Sequence, residues 1–198
     1  MGCGFAVAPL VGYAHAMAHS ETLCRGQYLA LVTTGGYEHA VRIKGTGVVC
    51  LVPITDTGEL VLVEQFRAPV GNSVIEIPAG LVGDEAGFSG ESFEDAARRE
   101  LLEETGYEAG CLDYLGEWPT TAGMTSEKVR VYRASALRRQ GPGGGSADED
   151  IRVHVVPLGE LRPWLAEKER QGYYIDPKVF ACMFFVKEFF AADRGPSQ

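Results

Sequence analysis

Glu100, Glu103 and Glu104 form the densest group of carboxylates with helical spacing in this chain. On an α-helix Glu100 and Glu104 are one turn apart and Glu103 lies beside both. Three like charges so placed repel, and a solvated helix usually intersperses lysines one turn away. Here no Lys occurs between Gly71 and Glu127. Hard divalent cations such as magnesium take oxygen ligands, keep several waters, and bind best together with substrate phosphates. In-line attack of water on phosphorus needs charge neutralised on the non-bridging and leaving oxygens, and a metal ion supplies that while activating the water. The spacing therefore points to metal-assisted cleavage of a pyrophosphate link.

A helix must carry these groups, and its signals flank them. Ser92 is suited to cap an N-terminus, with Glu94 and Asp95 in the first turn complementing the dipole, and Gly106 to close the C-terminus. Phe93, Ala96, Ala97, Leu101 and Leu102 are predicted to form its inward strip. Before it, QYLALVTT and EHAVRIK flank Gly35-Gly36 and read as a hairpin. The nearly continuous apolar runs TGVVCLVPI (46–54) and ELVLVEQF (59–66) flank a turn cluster and read as buried central strands, followed by a short strand VIEI (74–77). After it, EKVRVYRA (127–134) and IRVHVVP (151–157) read as strands separated by the loop GPGGGSADED. Helices over 158–170 and 177–192 finish the chain. The predicted class is α/β or α+β, a mixed sheet with helices against it.

At 198 residues the chain fits one domain. A net charge of -9 argues against non-specific nucleic-acid binding, which Lys and Arg drive. Five scattered cysteines without a C-x-x-C pair give neither a disulfide framework nor a thiolate zinc site and fit a reducing cytoplasm. The first twenty residues lack the basic start of a signal peptide and are too interrupted for a membrane span. They are read as an extension, flexible or packed on a partner.

Gly80, Glu91 and the run Arg99 to Tyr107 resemble the Nudix box, G-x5-E-x7-R-E-U-x-E-E-x-G-U with U bulky and apolar. The spacing matches throughout from Glu91, but ten residues rather than five separate Gly80 from Glu91, as if GDEAG or a neighbouring stretch had been inserted. The resemblance implies a Nudix-type α/β/α sandwich with a mixed sheet and an N-terminal antiparallel β region. It divides the chain into an extension (1–26), a hairpin region for dimerisation (27–45) and a hydrolase domain (46–198). It also implies Glu100 and Glu104 as principal metal ligands, Glu103 as a further or water-mediated ligand with a share in catalysis, and the Ala79 carbonyl as another. Gly80, Glu91, Arg99 and Gly106 would be structural, and Mg2+, or Mn2+, the cofactor.

Beyond the box, VLVEQFRAPV (61–70) with EIPAG (76–80) is similar to the ADP-ribose pyrophosphatase branch, which makes Arg67 a substrate-phosphate ligand. ADEDIRVHVV (147–156) is similar to the segment in which a glutamate on a mobile loop activates water. Glu149 matches it, and the preceding glycines would free the loop to close. Glu127 is the alternative base. Tyr37 resembles the position that stacks the adenine, and the branch's homodimers would bring the N-terminal sheet to a partner's site. The implied reaction takes ADP-ribose, or a related nucleoside diphosphate sugar, to AMP and ribose 5-phosphate. The alternatives are a ligand-sensing module without turnover and a hydrolase of nucleoside triphosphates or dinucleoside polyphosphates.

Overall fold

The computed structural model describes residues 19–83, 90–146 and 149–193, with side chains through Val186. The extension before His19, the inserted loop at 84–89, and Ala147 and Asp148 of the ADEDIRVHVV segment lie outside the described residues.

The strands are β1 (Ser20–Arg25), β2 (Leu29–Thr34), β3 (Tyr37–Arg42), β4 (Gly47–Pro53), β5 (Glu59–Arg67), β6 (Asn72–Glu76) and β7 (Ala79–Val82), then β8 (Tyr107–Pro119), β9 (Lys128–Arg139), β10 (Arg152–Pro157) and β11 (Tyr174–Ile175). The helices are α1 (Phe93–Thr105), α2 (Leu161–Arg170) and α3 (Pro177–Asp193). Gly35 and Gly36 turn β2 onto β3 with Thr34 opposite Tyr37. Ser20–Arg25 adds a third antiparallel strand to that hairpin, so the boundary expected at residue 26 falls inside a sheet.

Two four-stranded sheets make the body, in the orders β7-β4-β9-β8 and β10-β5-β6-β11. Each is mixed: β4 runs parallel to β9, and β6 parallel to β11. Side chains on a strand alternate between faces, and β4 shows how this divides the core. Val49 and Leu51 pack with Ala96, Ala97 and Leu101 of α1, whereas Cys50 and Val52 face a second cluster with Leu60 and Leu62 of β5, Leu161 of α2 and Val179 of α3. The sheets thus lie between α1 on one side and α2 with α3 on the other. The continuous apolar runs in β4 and β5 follow from burial on both faces.

Both ends of α1 form as predicted. Ser92 Oγ accepts from Asp95 N at 3.1 Å, and Gly106 takes the left-handed conformation with its N–H on Leu102 O. The inward strip differs in one place: Leu102 is 42% exposed, and Glu104 and Thr105 are buried instead. A helix turns about 100° per residue, so a face holding Ala97, Leu101 and Glu104 carries Leu102 round toward water.

Candidate active site

The strand ends and α1 enclose a cleft of about 500 Å³. Arg67, Ala79, Gly80, Arg99, Glu100, Glu103, Glu127 and Glu149 all line it, so most of the residues marked by sequence share one space. Gly80 lies directly against the Glu100 side chain. A Cβ there would overlap the Glu100 carboxyl group, so only glycine lets β7 lie against that carboxylate.

Arg99 organises this wall. Its guanidinium donates to Glu91 through Nε (3.0 Å) and Nη2 (3.2 Å), to the Leu81 carbonyl (3.0 Å), and through Nη1 to Glu100 (2.9 Å) and Glu103 (3.1 Å). These hydrogen bonds, with those to Glu91 foremost, hold its pKa above the ordinary arginine range. Glu91 also accepts from Gly83 N at 3.4 Å, tying the helix N-terminal side to the end of β7.

Glu104 lies behind the cleft rather than on its surface. It is buried, and its Oε2 accepts from Ala79 N at 3.0 Å. Burial pushes its carboxyl up to about 8; the Ala79 N–H and Arg67 pull it down, and the charges of Glu100 and Glu149 push it up. The contact with Ala79 therefore uses the amide and not the carbonyl. Among the described residues no three His, Cys, Asp or Glu side chains converge tightly enough to enclose an ion. Arg99 draws Glu100 and Glu103 to one side, while Glu104 turns toward the β7 backbone.

Of the remaining predicted residues, Arg67, Glu127 and Glu149 line the cleft and Tyr37 does not. Arg67 makes a bidentate pair with Glu76, at 2.8 Å and 2.6 Å, and lines the cleft. Glu127 is also pinned: Arg42 Nε and Nη2 both donate to its Oε2, at 2.9 Å and 2.6 Å. Among the described residues Glu149 meets no cation in this way; its Oε2 accepts from Ser146 N (2.9 Å) and Ser146 Oγ (3.1 Å). Tyr37 is not in the cleft. It is exposed and donates its hydroxyl to Gly123 O at 3.1 Å.

The glycine-rich loop differs from the freely closing segment expected from composition. Gly144 N donates to Glu104 O and Gly145 N to Glu103 O, at 2.9 Å and 3.0 Å, while Gln140 N donates to Gly106 O at 2.8 Å. The loop thus caps the orphan carbonyls at the end of α1. Gly106 has φ +74, and a Cβ on it would strike Gly141, so glycines here serve close approach. Glu149 is thereby fixed to the helix that carries the other carboxylates.

Sequence reading missed Arg42, Glu76, Asp176 and Lys178, all lining the same cleft. Glu76 stands in the EIPAG segment already singled out and was the findable one. The others lie on distant elements and carry no spacing signal.

Residues 44–176 match the NUDIX domain family. An ADP-ribose pyrophosphatase of Bacillus subtilis is 39% identical over 158 residues, covering 77% of this chain and 79% of that relative. A methanol dehydrogenase activator of Bacillus methanolicus is 33% identical over 127 residues, 64% of this chain and 66% of its own length. The crystal structure of an ADP compounds hydrolase covers 89% of this chain and 94% of its own with a TM-score of 0.69; at 21% identity this likeness concerns the fold. The chain belongs to the Nudix hydrolase family. Within the family it falls on the ADP-ribose pyrophosphatase-like branch.

Proposed function

We propose that the chain hydrolyses the diphosphate link of ADP-ribose, or of a closely related nucleoside diphosphate sugar, to a nucleoside monophosphate and a sugar phosphate. One observation carries this reading: Arg67, Glu100, Glu103 and Glu149 line one cleft, with the glycine-backed Glu100 at its wall and Glu104 just behind it.

The donors fit a hard divalent cation. They are all oxygens, and the buried Glu104, whose close partner among the described residues is the Ala79 N–H, has a raised pKa that a bound cation would bring down. Glu100, Glu103, Glu104 and the Ala79 carbonyl would hold Mg2+ or Mn2+. Bound there, the ion supplies Lewis-acid stabilisation of charge on the phosphoryl oxygens and a more acidic water.

Arg67, held flat by Glu76, presents a rigid guanidinium to a substrate phosphate. Glu149 orients the attacking water and takes its proton, since only weak hydroxyl and amide donors hold it. Glu127, locked to Arg42, lines the same cleft. Arg99 sets the rotamers of Glu100 and Glu103.

The spread of the carboxylates around Arg99 favours a second reading, a sensing module that binds ADP-ribose without turnover. Product release from ADP-ribose, UDP-glucose, GDP-mannose, NADH, diadenosine triphosphate and 8-oxo-dGTP, with magnesium, separates the readings. Preferential AMP release from ADP-ribose is expected; tight ADP-ribose binding with no turnover of any compound would establish the sensor.

The N-terminal sheet leaves Leu23, Leu29 and Leu31 exposed, a surface suited to a second copy of this chain. A homodimer in light scattering, converted to monomer by Leu31→Glu, is the expected result.

No helix among the described residues is long and apolar enough to cross a membrane.

A further inference from the structure

The floor of the cleft carries a cation that the reaction described above does not use. Lys178 and Asp176 both line the cleft, and Lys178 Nζ lies 2.6 Å from Asp176 Oδ2. Asp176 is itself fixed: its Oδ1 accepts from Lys178 N at 2.6 Å, its N–H donates to Ile75 O at 2.9 Å, and its carbonyl accepts from Val179 N at 2.9 Å. The ammonium has three donors and Asp176 takes one, so the group is aimed without being used up. Its side chain keeps 25% of its surface open.

This pair sits beside the Arg67–Glu76 pair by register. The parallel strands β6 and β11 match Val74 to Tyr174 and Ile75 to Ile175, so the next residues along are Glu76 and Asp176. Each of these carboxylates holds one cation. Arg67 also feels Asp176, and Lys178 feels Glu76, so the four groups form one alternating network. Arg67 spends Nε and Nη2 on Glu76. The floor therefore offers two cations of different kind, side by side, each held from behind by a carboxylate. Lysine would not otherwise be favoured in the first turn of α3, where the helix dipole opposes positive charge.

We propose that Lys178, positioned by Asp176, joins Arg67 in an anion seat on the cleft floor that takes a phosphoryl group of the substrate's diphosphate. This rests on the reading of the cleft as a diphosphate site. Lys178 is a binding residue here and Asp176 a positioning residue. Because the seat holds phosphate in the bound substrate as well as during reaction, its loss is expected in KM more than in kcat.

The test compares the wild-type protein with Lys178→Gln and Lys178→Arg. It uses calorimetric binding of inorganic pyrophosphate in magnesium and steady-state turnover of ADP-ribose, with melting temperature as the fold control. Lys178→Gln is expected to weaken pyrophosphate binding and raise KM by about tenfold, the size of a charge-assisted hydrogen bond, with kcat within about twofold. Lys178→Arg is expected to restore most of both. A folded Lys178→Gln protein with wild-type binding and KM overturns the seat while leaving the proposed reaction standing. Absence of wild-type turnover, with pyrophosphate binding still weakened by Lys178→Gln, overturns the reaction and leaves the seat. Should Lys178→Gln not fold, Asp176→Asn loosens the ammonium and keeps the cap on α3. A KM raised about threefold is expected there, and an unchanged KM overturns the proposal.

Discussion

Glu104 and Glu64 are buried almost equally, 3% and 8% exposed, yet the protein treats them in opposite ways. Glu64 accepts from His154 Nε2 at 2.9 Å and Lys168 Nζ at 3.1 Å, with Arg152 at 3.5 Å. Burial alone would raise its pKa, but the bonds from His154 and Lys168 outweigh this and bring it below the ordinary carboxylate value. The Lys168 bond ties α2 to β5, and the same ammonium lies over the rings of Trp164 and Tyr173. Glu104 has one amide and two repelling carboxylates, and burial carries it up to about 8. The buried carboxylate paired with cations organises structure; the one held by an amide alone, beside the cleft, is the one proposed to bind a cation.

Replacing each carboxylate sharpens that contrast. Glu104→Gln is expected to lower turnover of ADP-ribose by about a hundred- to a thousandfold, in line with the loss of one electrostatic stabiliser of the transition state. Its melting temperature is expected to stay level, because a carboxyl that burial raises to about 8 is already mostly neutral at pH 7 and the amide replaces it with little change in size or charge. Glu64→Gln is expected to do the reverse. Stability measured by denaturant falls by about 3 kcal/mol, because the buried Lys168 ammonium loses its partner, while turnover per folded molecule is retained. A Glu64 variant that folds well and is inactive would break the comparison.

Gly80→Ala gives a smaller effect. The new methyl displaces only the end of the flexible Glu100 side chain, so stability should change little. The displaced carboxylate is expected to lower turnover about tenfold or more, as disturbed ligand orientation does. Unchanged kinetics would mean that the position of Glu100 against β7 is irrelevant.

The smallest expected effect is in pH dependence. His154 is depressed below its ordinary 6.5 chiefly by burial, with the Glu64 bond opposing, and Glu64 is depressed below 4.5. A depressed pKa means the unfolded chain binds more protons, so this cluster stabilises above the unfolded values. That stability is lost as pH falls below 6.5 through His154 and then below 4.5 through Glu64. Melting temperature should decline over that range in the wild type and less steeply in His154→Gln. Equal slopes would show that the cluster does not titrate as described.

The sequence revealed what depends on local spacing. The caps on α1, the β2–β3 turn and the doubly buried strands β4 and β5 follow from neighbours a few residues apart. Strand β8 was not legible: its polar residues, two glycines and a register shift between Tyr114 and Gly116 hide any alternation. In the site, the box identified the glutamates, whereas Arg42, Asp176 and Lys178 reach the cleft from separate elements. Their roles depend on which strands pair, as the Ile75–Ile175 register shows. The glycine-rich loop was misread for a related reason. Composition shows conformational freedom, and only the fold shows that the freedom is used to approach the end of α1.

The carboxylate cleft is proposed to cleave a diphosphate link with a hard divalent cation. The most direct test is AMP release from ADP-ribose by the wild-type protein, in magnesium and after chelation, with the melting temperature recorded in both. Release that stops on chelation while the protein remains folded is the expected result. Release that continues undiminished in chelator, or none in magnesium, would contradict it.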